Sequence, residues 1–146
     1  MARFFTLAQA QHLLPQVESA IRAAIALKAE YQQAESDCQQ FQRRIMLQGG
    51  VMVDHSKLLD RKHRRDSSAR GLQESIEKIH EYGCLVKDLD VGLIDFPTLF
   101  NGQEVYLCWK VGESGIQFWH GVEEGFRGRK PIDQEFLDHH QGDLPN

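Results

Sequence analysis

The chain contains no C-x-x-C pair, and its three cysteines, Cys38, Cys84 and Cys108, are odd in number. That argues against a disulfide framework and against a zinc ribbon. Free thiols point to a reducing compartment. No stretch approaches the roughly 18 apolar residues that a membrane span requires. The start, MARFFTLAQAQHLLP, has only Arg3 ahead of a short apolar run broken by polar residues, and it lacks the hydrophobic segment of a secretory signal. The expected location is the cytoplasm, with no membrane partner. Net positive charge is also missing. Lys and Arg number 17 against 21 Asp and Glu, a formal charge of −4, which argues against a whole-chain basic binder of nucleic acid. No internal repeat or low-complexity segment is visible.

The charge is uneven. Residues 1–87 carry +3 and residues 88–146 carry −7, so the two parts differ in electrostatic character. At 146 residues the chain is most simply a single domain, 1–146. Chains of this length bury roughly 68–70% of their unfolded surface and need no staple.

TLAQ near the start reads as a capping box, with Thr6 and Gln9 exchanging hydrogen bonds and Phe5 against Ala10 as the staple. A short helix over about 7–14 should follow. Pro15 lacks the N–H of a helix interior and best fits the first turn of a new or kinked helix. Apolar positions then run Val17, Ile21, Ala24, Leu27, Tyr31, Ala34, Cys38, Phe41 and Ile45, close to a heptad seam. Gly49-Gly50 should stop this helix. From 15 to 48 it would be about 50 Å long. A second helix, capped by Asp54 or Ser56 and ended by Gly83, should return antiparallel, joined at residues 49–55. Its middle, DRKHRRDSSARG, has no strong apolar seam and is either a loosely packed helical region or a loop.

After residue 85 the pattern becomes β-like. Asn101-Gly102 is a two-residue hairpin signal, setting Thr98 opposite Val105, Phe96 opposite Leu107 and Ile94 opposite Trp109. A four-residue turn at 112–115 would set Val111 opposite Ile116, Trp109 opposite Phe118 and Leu107 opposite His120. One face then carries Ile94, Phe96, Val105, Leu107, Trp109, Val111, Ile116, Phe118, His120 and Val122. The other carries Asp95, Tyr106, Cys108, Lys110, Gln117 and Trp119. Pro97 is tolerated if its strand lies at an edge. The tail, 133–146, should drape over the domain or fray.

Four blocks in order, FFTLAQAQHLLP, VKDLDVGLIDFP, VYLCWKVGE and FWHGVEEGFRGRKPI, carry a family likeness. Across about residues 3–132 the chain resembles the bacterial family called domain of unknown function 2203. The likeness is carried in the β region by Asp88, Asp90, Gly92, Asp95, Phe96, Pro97, Trp109, Gly112, Glu113, Trp119, His120, Gly125, Phe126 and Arg129. It implies a helical hairpin with a small β module and brings no activity. It carries nothing over to the tail.

The main candidate site is Asp88, Asp90, Asp95, Glu113 and His120. Carboxylates suit a hard divalent cation, and carboxylates with a histidine suit a transition metal or a general base. None of the five forms a dense ligand motif, and the register above puts Asp95 and His120 on opposite faces. The competing reading makes Asp88 and Asp90 turn residues, Glu113 a turn former and His120 a hydrogen-bonded histidine at the core edge. Cys108 would need a base to act as a nucleophile, and the same register removes His120 from it. His80 and Cys84 at i, i+4, and His139-His140 in the tail, are further incomplete metal pairs. Arg61, Lys62, Arg64 and Arg65, and separately Arg127 and Arg129, are candidates for anion or nucleic-acid contact. No aromatic residues interleave the first cluster for base stacking.

The expected fold is α+β: a long antiparallel helical hairpin (6–84), a small antiparallel β-meander module (85–132) and a tail. An exposed seam of that length favours a homodimer whose hairpins associate as four helices. The leading functional expectation is a non-enzymatic interaction or scaffold protein. The alternative is a small divalent-metal protein or hydrolase-like enzyme with its carboxylate and histidine site in the β module, and whether there is catalysis is left open. A third reading is nucleic-acid binding through residues 61–70, which predicts salt-dependent retention on heparin.

Overall fold

In the computed structural model, which describes residues 3–48 and 55–143, the first helix begins with a reciprocal cap. The Gln9 N–H donates to Thr6 Oγ1 at 3.1 Å, and the Thr6 N–H donates to Gln9 Oε1 at 2.9 Å. Phe5 and Ala10 are both fully buried, as a hydrophobic staple requires. Helix α1 then runs unbroken over Leu7–Leu47. The expected separate segment over 7–14 is thus part of one helix that continues through Pro15. Pro15 and Gln11 are exposed, so water can satisfy the Gln11 carbonyl that a proline at i+4 cannot reach.

Helix α2 spans His55–Glu81, including all of the charged middle. Ser56 therefore lies inside its first turn. The Gly49-Gly50 stop, Asp54 and most of the expected joining segment lie outside the described residues. Gly83 closes α2 with φ +97, where its N–H bonds the His80 carbonyl and the Cys84 N–H bonds that of Ile79. This is a Schellman closure.

The chain forms two units, one comprising Met1–Arg22 and Ile76–Asn146, the other Ala23–Ser75. In the second, α1 packs on α2 as a helical hairpin. Ala34 and Cys38 are buried, and Leu27, Tyr31, Phe41 and Ile45 are half-buried, which follows the heptad seam. Small side chains and one arginine contribute to the facing side of α2 in its charged middle. Ser68 is buried, Gly71 lies against the Leu27 side chain, and the Arg61 guanidinium sits 4.3 Å from the Phe41 ring centre. In the charged middle of α2 a serine, a glycine and an arginine guanidinium thus stand where an apolar seam would be read.

In the first unit a six-stranded antiparallel sheet follows: β1 (Leu85–Asp88), β2 (Leu93–Phe100), β3 (Gln103–Lys110), β4 (Phe118–Gly121), β5 (Lys130–Pro131) and β6 (His140–Gln141). The strands order as β1-β2-β3-β4-β5, with β6 also on β2. The first hairpin matches the expected register, Thr98 opposite Val105, Phe96 opposite Leu107 and Ile94 opposite Trp109. Asn101 and Gly102 take the positive φ, 52° and 79°, that a tight turn of this hand demands.

The second hairpin differs by one residue. Leu107 faces Trp119 and Tyr106 faces His120, and the loop runs from 111 to 117 rather than over four residues. The cause lies in the loop's bonds. The Glu113 carboxylate accepts the Lys110 N–H at 2.8 Å, and its carbonyl accepts Trp109 Nε1 at 3.1 Å. The Gln11 side chain then takes both the N–H and the carbonyl of Ile116, so neither pairs with Val111. A slip of one residue exchanges the faces. Trp119 joins Phe100 and Phe136, and His120 and Phe118 join the face of Asp95 and Cys108.

β2 is buried over residues 93–98 and is not an outer strand. Pro97 sits between the stretches paired by β1 and by β6, and its carbonyl accepts the Phe5 N–H at 2.7 Å. A proline there forfeits no ladder bond. The tail folds instead of fraying. Helix α3 (Gln134–His139) is capped by Asp133, and its Phe136 stacks on Phe100 at 5.0 Å. The Phe136→Ala variant should lose about 3–5 kcal/mol in urea unfolding, while Met46→Ala, at an exposed position, should stay within about 0.5 kcal/mol of the parent.

Candidate functional site

β2 pairs Asp95 with Cys108, and β3 pairs Tyr106 with His120 two residues along. Alternation along the strands therefore gathers Asp95, Cys108 and His120 on one face. All three are buried, and one ligand atom from each lies within 4.8 Å of the others.

His120 is held from both sides. Its Nδ1 lies 2.8 Å from the Gly121 carbonyl and its Nε2 lies 3.0 Å from Asp95 Oδ1. A carbonyl only accepts, so Nδ1 carries a proton. One further proton then sits between Nε2 and the carboxylate. The Tyr106 ring meets the imidazole edge-on at 5.6 Å.

Burial raises the Asp95 pKa, with His120 and then Cys108 and Lys87 opposing that rise. Asp95 Oδ2 is buried without a hydrogen-bond partner. The Cys108 thiol is near enough to favour the carboxylate's charge, yet no well-directed hydrogen bond reaches Oδ2. An S–H is a weak donor. Burial pushes the Cys108 thiol up to about 12, Asp95 adding to the effect and Arg129 opposing it.

A cleft of about 260 Å³ reaches Asp95 and His120 from outside, lined also by Lys87, Asp88, Leu93, Val122, Glu124, Gly125 and Phe126. Of the four acids and one histidine expected together, Asp95 and His120 meet at its base and Asp88 stands at its wall. Asp88 Oδ1 accepts the Asp90 and Val91 N–H groups, which makes it a turn residue as well. Glu113 is engaged elsewhere, accepting both bonds of a bidentate Arg129 contact at 2.7 and 2.9 Å. Asp90 is exposed in the turn ahead of β2 and does not line the cleft.

Cys108 is the member that the expected register removed from His120. Its pairing with Asp95 was already implied by the Asn101-Gly102 hairpin. His80 and Cys84 do not share a helix face, since Gly83 turns the chain between them. His139 and His140 serve the tail, where His140 Nε2 accepts the Leu7 N–H at 3.1 Å.

The basic candidates are spread over different contacts. Arg65 meets Asp66 at 3.0 Å and Glu35 at 3.8 Å, and Arg61 lies on Phe41. Lys62 is half-buried and Arg64 exposed. Arg129 is stacked over Phe118 and Phe126 at 4.1 and 4.7 Å, while Arg127 is exposed.

Cys84, like Cys108, is pushed by burial from an ordinary 9.0 up to about 12. Both thiols stay protonated in the fold where the unfolded chain has already lost those protons. Stability is fully present below about pH 9 and falls as pH rises toward 12, by about 1.4 kcal/mol per pH unit for each thiol. Urea unfolding at several alkaline pH values should show that decline, and Cys84→Ala or Cys108→Ala should each make it shallower.

None of the helices among the described residues is long and apolar enough to cross a membrane. No curated protein and no solved structure matches the chain. A family model does match, over residues 3–132, which takes in both helices and β1 to β5 and stops before α3. On that match the chain belongs to the family described as Uncharacterized conserved protein (DUF2203).

Proposed function

We propose that the protein binds a transition-metal ion through Asp95, Cys108 and His120. One observation carries the reading: a carboxylate, a thiol and an imidazole, all buried, bring ligand atoms within 4.8 Å of one another while Asp95 Oδ2 has no partner. A thiolate with an imidazole and a carboxylate suits Zn²⁺ better than Ca²⁺ or Mg²⁺, which prefer oxygen alone. The Nδ1–H to Gly121 carbonyl bond is the outer contact that orients a histidine for metal binding through Nε2. Metal would replace the proton between Nε2 and Oδ1 and the proton on Cys108, so binding releases protons and strengthens as pH rises. Three protein ligands leave a coordination position open, as in zinc sites that activate water.

Protein purified under reducing conditions and stripped by chelator should take up one Zn²⁺ per chain. Asp95→Asn and His120→Gln should each weaken uptake at least about 100-fold. Asp95→Asn should keep the metal-free fold at equal or greater stability, because the amide can donate to Nε2 and removes a buried charge. No uptake by the parent, or unchanged uptake by the asparagine variant, counts against the metal.

A second reading concerns the Ala23–Ser75 unit. Tyr31, Phe41 and Ile45 on its seam remain half-buried, and Met46 and Leu47 are 80% and 81% exposed. We propose that this surface supports self-association into a homodimer, and with it a scaffold role. Light scattering on a sizing column should give twice the chain mass at micromolar concentration, reverting to one chain mass on Ile45→Glu. A parent that elutes as a monomer counts against it.

A further inference from the structure

We infer that the cleft over Asp95 and His120 binds a small organic acid, its carboxylate toward the metal and Lys87, its apolar body against Val122 and Phe126. The inference rests on the metal reading and adds the ligand class. The cleft's 260 Å³ is far more than a metal-bound water needs, since a water occupies about 30 Å³. Three apolar side chains stand among its charged ones. Val122 and Phe126 are 47% and 46% exposed, and both line it, with buried Leu93 below.

The charged groups at the rim are unequally matched. Glu124 is held ionised by Lys130, whose Nζ lies 2.6 Å away, and it also accepts the Gly121 N–H. Asp88 gives one carboxylate oxygen to the turn. Lys87 forms no ion pair among the described residues. Its Nζ lies 5.0 Å from the ring centre of Tyr106, the residue paired with His120. A cation without an ion-pair partner and two exposed apolar side chains, around a cleft that reaches Asp95 and His120, match a carboxylate on a short hydrocarbon body. A neutral ligand leaves Lys87 unused, and an inorganic anion leaves the walls unused.

The test uses protein loaded with Co²⁺, whose visible absorption reports its ligands. Isobutyrate is the probe, with isobutyramide as its neutral isostere and inorganic phosphate as an anion without an apolar body. Isobutyrate should shift the spectrum saturably and bind at least ten times more tightly than either control. Lys87→Met should weaken isobutyrate at least tenfold in protein saturated with cobalt. Val122→Ser should narrow the gap between isobutyrate and phosphate. Equal response to acid and amide, equal response to isobutyrate and phosphate, or an indifferent Lys87→Met variant overturns the inference. Loading without any response to acid overturns it alone, whereas failure to load cobalt overturns the metal reading with it.

Discussion

The register of β4 against β3 decides whether this chain has a site at all. Side chains alternate across a sheet, so one residue of slip would send His120 to the Trp109 face and leave Asp95 buried without a basic partner. The slip is prevented by few bonds. Glu113 takes the Lys110 N–H that would otherwise continue the ladder, and Gln11, from α1, takes both polar groups of Ile116. Arg129 holds the Glu113 carboxylate with two bonds and lies against the Cys108 carbonyl at 3.5 Å. The loop, the helix start and the segment leading into β5 thus converge on one outcome. They align three potential ligands that lie far apart in sequence.

This convergence explains what could be read from the chain and what could not. Local signals worked: the Thr6 and Gln9 cap, the Gly83 stop and the Asn101-Gly102 turn each depend on residues a few positions apart. The heptad seam of α1 was legible because one helix repeats it many times. The second hairpin was not, since its register depends on Gln11, about a hundred residues away, and on a glutamate acting as a backbone acceptor. A Gly112–Gly115 spacing looks the same whether four residues turn or seven do. A four-residue turn puts Asp95 and His120 on opposite faces, and with them it separates His120 from Cys108. The middle of the α2 seam was hidden for another reason, its contacts being made by Ser68, Gly71 and the Arg61 guanidinium, which no hydrophobic pattern records.

The acids show how residue type underdetermines role. Asp88, Asp95 and Glu113 are equally plausible as ligands on paper. In the fold one bonds turn amides, one is fully buried against a histidine, and one clamps an arginine. What separates them is burial and who reaches them first. Glu113 is neutralised by Arg129 and so has little left to offer a cation. Asp95 keeps an oxygen unmatched.

A lone unmatched oxygen in a packed interior is costly, of order 1–3 kcal/mol or more for a charged group. Replacing such a buried polar pair with apolar side chains is often neutral or stabilising by about 1–4 kcal/mol. The Asp95, Cys108 and His120 group is therefore hard to explain as a contribution to stability. The metal-free site must either carry a desolvated charge or hold the proton on a carboxyl whose pKa burial raises. An ion held by Asp95, Cys108 and His120, as proposed, would relieve that conflict by displacing the protons and offering the carboxylate and thiolate a positive partner. The same arrangement that weakens the fold without metal would then strengthen it when metal is present, coupling the sheet's stability to occupancy of one buried position.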